Sequence, residues 1–235
     1  GIEGAYTLSC IFFVMAMLLC LTLSRSFPAA MSRGTSMLTG MIDVIRHAAR
    51  HPSLSAVIVV TVVMNLLGFP YVSMVPVIAG EEMGLNASQT GVLMAAEGAG
   101  AVLCALVLAF TVKRRHYARI FSGGSVLFIV FIQLFALLDG FMAAATVLFF
   151  AGIGLGGFAA MQSTILLTFA PPEMRARVMG LLVLAIGSGP LGVLLLGSLA
   201  EGLGASVALS ITAGCGFVLL CVSFVRWPVL LKPTR

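Results

Sequence analysis

Seven apolar runs, each roughly twenty residues or longer and nearly free of charge, leave this chain few ways to fold. They cover residues 4–24, 54–79, 89–112, 120–138, 141–169, 178–200 and 203–225. At 1.5 Å per residue such a run crosses a hydrocarbon core about 30 Å thick as one helix. Water is not the main solvent for a chain that is 60% hydrophobic and 9% charged, when soluble domains carry about 25% charged residues. Only helices and closed barrels satisfy their backbone hydrogen bonds in lipid, and none of the runs shows the ten-residue alternation of a barrel strand. The expected fold is therefore all-α, a polytopic membrane helical bundle.

If all seven runs span, the thirteen Lys and Arg residues fall on one side of the membrane. Arg25, Arg33, Arg46 and Arg50 lie between the first two runs, and Lys113, Arg114, Arg115 and Arg119 between the third and fourth. Arg175 and Arg177 lie between the fifth and sixth, while Arg226, Lys232 and Arg235 follow the seventh. The other side holds Glu81, Glu82, Asp139 and Glu201, with Glu3 at the start. The positive-inside rule then puts the basic side and the C-terminus in the cytoplasm. Nucleic acid is excluded as a partner, because these are short juxtamembrane clusters without interleaved aromatics. Gly1 falls outside, with neither an initiator Met nor a charged segment ahead of the first run, so an odd number of further spans is expected upstream.

The connection 25–53 is too long and polar for a tight turn and reads as a cytoplasmic linker between domains. Within it Leu38, Met41, Ile42, Ile45, Ala48 and Ala49 follow helical spacing, with Asp43, Arg46, His47 and Arg50 on the other face. Pro52 ends this amphipathic helix, and His47 and His51 are expected to be solvated. The division is 1–24 as the last helix of an absent N-terminal bundle, 25–53 as linker, 54–226 as a six-helix bundle and 227–235 as a cytoplasmic tail. The third and sixth runs match at an offset of 89: Gly91, Leu93, Ala96, Gly98 and Gly100 against Gly180, Leu182, Ala185, Gly187 and Gly189. Opposed in direction, they suggest an inverted repeat of three helices. Glycines at 152, 154, 156 and 157, and Gly187, Gly189, Gly192 and Gly197 beside Pro190, permit close helix packing or bending. Cys10, Cys20, Cys104, Cys215 and Cys221 have no Cys-x-x-Cys pairing and no histidine nearby, and read as small core residues rather than metal ligands. No metal and no cofactor is expected.

A linker helix followed by six helices in three-plus-three arrangement resembles the second half of a major facilitator superfamily transporter, with the first run as the sixth of twelve helices. Pro171-Pro172-Glu173-Met174-Arg175-Ala176-Arg177-Val178-Met179-Gly180 is similar to the family's loop between its tenth and eleventh helices. Gly187-Ser188-Gly189-Pro190-Leu191-Gly192 is similar to the Gly-x-x-x-Gly-Pro-x-x-Gly antiporter signature of the pseudo-symmetric fifth helix. Arg-His-Pro ahead of a span, within Ile42 to Val57, further resembles bacterial multidrug and siderophore exporters of the inner (plasma) membrane. Ala109 to Arg119 departs from the family, keeping the basic cluster of Gly-x-x-x-Asp-Arg-x-Gly-Arg-Arg without its acidic and glycine positions. A charge-relay gate is not expected there.

The resemblance implies proton-coupled efflux of small amphipathic compounds by alternating access, with the lipid bilayer, the absent N-terminal half and a small-molecule substrate as partners. Uptake or facilitated transport of a small metabolite is the alternative in the same class. The family fold would put the second and fifth runs along the central cavity, singling out Asn65, Phe69, Tyr71, Gln162, Ser163 and Thr164, with Phe158 as a further apolar wall. Pro70 and Pro76 should kink the second run. Glu97 stands apart as the one acidic residue deep in a predicted span, a candidate for proton coupling or a gate. An intramembrane enzyme finds no support, since Gly-x-Ser-x-Gly, His-Glu-x-x-His and paired Asp are absent and the histidines lie in loops. A structural or receptor-like membrane protein is the remaining class.

Overall fold

The computed structural model describes residues 2–22 and 37–232. Two compact units divide the chain, Gly1–Ser36 and Met37–Arg235. In the first, helix α1 (Ile2–Thr22) forms where the first run predicts it.

The second unit opens with α2 (Met37–Arg50) and continues as six helical spans. The first of these is interrupted: α3 (Pro52–Val63), a π-helical turn over Met64–Gly68, a turn at Phe69 and Pro70, α4 (Tyr71–Val77) and a second π-helical turn over Ile78–Glu82. Next come α5 (Ala87–Thr111), α6 (Tyr117–Phe135) and α7 (Phe141–Phe169). The next span is also broken, into α8 (Arg175–Ile186) and α9 (Gly189–Leu203), before α10 (Ala205–Arg226) completes the bundle. No strand occurs among the described residues.

Connections are short, so successive spans reverse direction. Between α9 and α10 Gly204 alone makes the turn, at φ 87°, a backbone conformation that costs glycine little. At α5 Asn86 accepts from the Gln89 amide while the Gln89 side chain accepts from the Asn86 amide, satisfying two otherwise orphaned donors. Reversal gathers the described Lys and Arg at one end, where Ser122 Oγ and Arg119 Nε reach the Leu230 and Leu231 carbonyls at 2.9 and 3.4 Å. At the opposite end the Glu82 carboxylate accepts from the Ser206 amide at 3.1 Å and from the Ser206 hydroxyl, capping the first turn of α10.

Helix α7 packs along its length between α5 and α6. Lipid tails are as apolar as leucine, so helices associate through close packing rather than through escape from water. A methyl group at Gly152 would overlap the Glu97 carbonyl on α5, and one at Gly100 would overlap the Phe149 carbonyl on α7. On the other side Gly154 and Gly124 bring α7 against α6, each lying where a methyl would strike the partner's backbone. The glycine run at 152–157 thus acts as packing surface on two faces at once. Beside it Phe69, Tyr71, Phe121, Phe128 and Phe158 form an aromatic cluster with ring centroids 5.0–5.6 Å apart, mostly edge to face.

The amphipathic helix forms as expected, and two other sequence expectations are corrected. The face that α2 buries is Val44 and Ala48, packed toward α3 and α8, whereas Ile42, Ile45 and Ala49 are exposed; Leu38 and Met41 lie outside the described side chains. His47 and His51 are half-buried rather than solvated, and His51 Nδ1 and His47 Nε2 have no hydrogen-bond partner. The His51 ring lies 5.6 Å from Phe169, and burial, then the neighbouring His47, lowers its pKa below the usual histidine value. The cysteines are not core residues: Cys10, Cys20, Cys215 and Cys221 are exposed and Cys104 is half-buried, because the span surface of a membrane bundle is itself apolar.

Gly152→Ala should destabilise the purified full-length protein by about 1–3 kcal/mol through overpacking against the α5 backbone. Gly98→Ala, where an added methyl meets nothing within 4 Å, should not. Equal melting temperatures for the two variants would contradict the packing described for α7.

Candidate functional site

Both interrupted spans break near mid-membrane, and the breaks meet. In the first, the Phe69 amide reaches back five residues to the Met64 carbonyl at 2.8 Å, closing the π-helical turn. Pro70 supplies no amide to continue the ladder. Asn65 turns its side-chain amide onto the Thr61 carbonyl at 2.9 Å, and Thr61 Oγ1 donates to Gln162 Oε1 of α7 at 3.3 Å. In the second, the helix ends at Ile186, Gly187 and Ser188 form a turn, and Pro190 lies in the first turn of α9. Ser188 Oγ satisfies the Ala185 carbonyl at 2.7 Å. Gly192 then lets α9 approach so closely that a methyl there would overlap the Leu66 carbonyl and the Pro70 ring, while Gly189 faces the Asn65 carbonyl.

On the other flank of α4 stands Glu97. It is ten residues into α5, about 15 Å from that helix's start and half of a hydrocarbon core deep. Its backbone is pinned against Gly152 of α7, and its half-buried side chain is a neighbour of the Tyr71 phenol on α4. Tyr71 is 1% exposed, and its hydroxyl lies beside Glu97 without a hydrogen bond of good geometry. No titratable side chain of α7 faces this pair among the described residues, and Cys104 follows two turns further along α5. A carboxyl group at this depth, beside a phenol and next to a broken helix, can exchange a proton with water that reaches it.

The sequence-derived residues therefore separate. Asn65 and Gln162 share a polar patch with Thr61, a residue the sequence reading passed over, although its register four before Asn65 marks it as a partner. Tyr71 belongs with Glu97 instead. Phe69 is half-buried against Phe128 and Phe158; Phe158, at 1% exposure, is a core residue and not a cavity wall. Ser163 is half-buried, while Thr164 bonds the Ala160 carbonyl of its own helix. Pro70 falls at the break as expected, and Pro76 lies inside α4, two residues before the second π-helical turn. Gly187 sits in the second break and Gly189 and Pro190 open α9, whereas Gly192 makes the contact with the first. Arg175 and Arg177 lie at the start of α8, at the basic end. Repeat matching aligns Glu97 with Ile186 and Gly98 with Gly187, yet α5 is continuous where its counterpart is broken: Ala101 stands opposite Pro190.

A family model described as transmembrane secretion effector, MFS_3, matches residues 1–233. No curated protein matches the chain.

Tyr71→Phe deletes a buried hydroxyl that lacks a well-formed bond, so the melting temperature of the full-length protein should hold or rise, by up to about 1–3 kcal/mol of stability. A clear fall would mean that the phenol is hydrogen-bonded to Glu97 in the folded protein.

Proposed function

Because the chain belongs to the transmembrane secretion effector family of major facilitator transporters, we propose that it exports small amphipathic molecules by alternating access, coupled to protons at Glu97. The observation that carries this reading is the carboxylate of Glu97 beside the Tyr71 phenol at the flank of an interrupted helix, half a membrane deep. An ionised acid at a helix centre costs about 2.5–3.5 kcal/mol on the insertion scale, so its presence there calls for a compensating role. A proton taken up while the pair faces one side and released while it faces the other would supply the coupling. Discontinuous helices near the midplane are where secondary transporters hold substrates and ions. Gln162, half-buried on α7 and held by the buried Thr61, would offer a hydrogen bond to a substrate whose apolar part meets Phe69.

The export direction is supported by the word secretion in the family's description. Transport also needs a second bundle, and the apolar faces of α5 and of α8–α9 are suited to it: 11% and 22% of their most apolar stretches are buried, against 39–61% in the other four spans. In this reading residues 1–24 belong to the preceding bundle, 25–53 link the two and 54–226 form the second, with 227–235 as a tail. The basic end and the C-terminus face the cytoplasm by the positive-inside rule, in a bacterial inner membrane.

Glu97→Gln keeps shape and hydrogen bonding while removing titration. The full-length variant should reach the membrane at normal abundance and lose proton-driven flux; wild-type flux and pH dependence would refute the coupling role. For sidedness, single cysteines introduced as Asn86→Cys and Gly140→Cys, in a cysteine-free background, should react with an impermeant thiol reagent outside intact cells. Arg115→Cys and Arg175→Cys should not, and labelling at either would overturn the orientation.

A further inference from the structure

Between α6 and α10, at the basic end and away from the broken helices, lies a groove of about 550 Å³ lined by Arg119, Ser122, Gly123, Val126, Leu127, Val130, Phe224 and Leu231. We propose that this groove binds an anionic membrane phospholipid, with its phosphate on Arg119 and one acyl chain along Gly123, Val126, Leu127 and Val130. Length is the first argument. From Arg119 to Val130 the groove follows eleven residues of helix, about 16 Å, which is the depth of one leaflet of a core about 30 Å thick.

Charge is the second. Arg119 is exposed at the mouth and Nε donates to the Leu231 carbonyl, which orients the guanidinium there. Among the described residues no carboxylate pairs with it. Guanidinium matches phosphate in planar, bidentate fashion, and Lys232 follows directly on the wall formed by Leu231. No acidic side chain lines the groove. Below the mouth, every lining side chain from Val126 onward is apolar. Basic pockets between spanning helices at a cytoplasmic surface are suited to anionic headgroups.

The third argument is that the groove is built. Ser122 is buried, its hydroxyl shared between the Ala118 and Leu230 carbonyls at 2.9 Å each, and this fixes the 3₁₀ turn at Pro228–Leu230 that closes the groove's end. Gly123 leaves the floor open: a methyl added there meets nothing within 4 Å. The ligand thus enters a preformed slot from the bilayer, without rearranging the bundle.

The test uses purified full-length protein in native mass spectrometry, with phosphatidylglycerol and phosphatidylcholine of matched acyl chains. Wild type should retain phosphatidylglycerol about fivefold over phosphatidylcholine, the preference expected of one basic residue at a surface. Arg119→Ala should bring the two lipids to parity and Arg119→Lys should keep most of the preference. Gly123→Leu, whose Cβ meets nothing within 4 Å and whose side chain would occupy the slot, should reduce retention of both lipids. Arg114→Ala, on the exposed turn before α6, should change neither. Parity in wild type, an unchanged preference in Arg119→Ala, or equal losses from Arg114→Ala and Arg119→Ala would overturn the site. Thermal melting of each variant separates lipid loss from misfolding, since Gly123→Leu should melt as wild type in detergent.

Discussion

The bundle depends on how closely α7 can approach its neighbours. In water a helix is held by burying an apolar stripe; in hydrocarbon that force is absent, and contact between backbones has to replace it. Gly152 and Gly100 supply such contact toward α5, and Gly154 and Gly124 toward α6. Everything near the candidate site hangs from this helix. Glu97 has its position because its own carbonyl lies against Gly152, so the carboxylate is carried by a seam that tolerates no side chain.

The same scarcity of water explains how the two breaks coexist with stability. A helix interrupted in lipid exposes amides and carbonyls that no solvent can satisfy. Here each break is answered locally: Asn65 bonds the Thr61 carbonyl, Ser188 bonds the Ala185 carbonyl, and the π-helical turn closes through Phe69 and Met64. Gly192 then presses one interrupted span against the other at Leu66 and Pro70. Two interrupted helices thus meet at one region of the bundle, where the backbone ladder of each is weakest. The groove at Arg119 lies between α6 and α10, both continuous helices, and none of its lining residues comes from the interrupted spans.

Much of this architecture was legible in the residues. Long charge-free runs determine spanning helices because backbone groups in lipid have no other way to be satisfied, and short loops between them dictate the reversals that gather Lys and Arg at one end. Pro190 between Gly189 and Leu191 marked the second break, since proline withholds an amide wherever it stands. Glu97 was conspicuous because a lone acid in an apolar run is costly. What one-dimensional pattern could not decide was which side of each helix meets protein. In a soluble helix polarity reports that side; in a spanning helix both sides are apolar, so the cysteines read as core and are exposed, and Phe158 reads as a cavity wall and is core. Only the tertiary structure paired Tyr71 with Glu97, and Thr61 with Gln162 across a hundred residues of chain, because those partnerships are fixed by the rotation of helices about their axes, which close glycine contacts set and which sequence spacing does not encode.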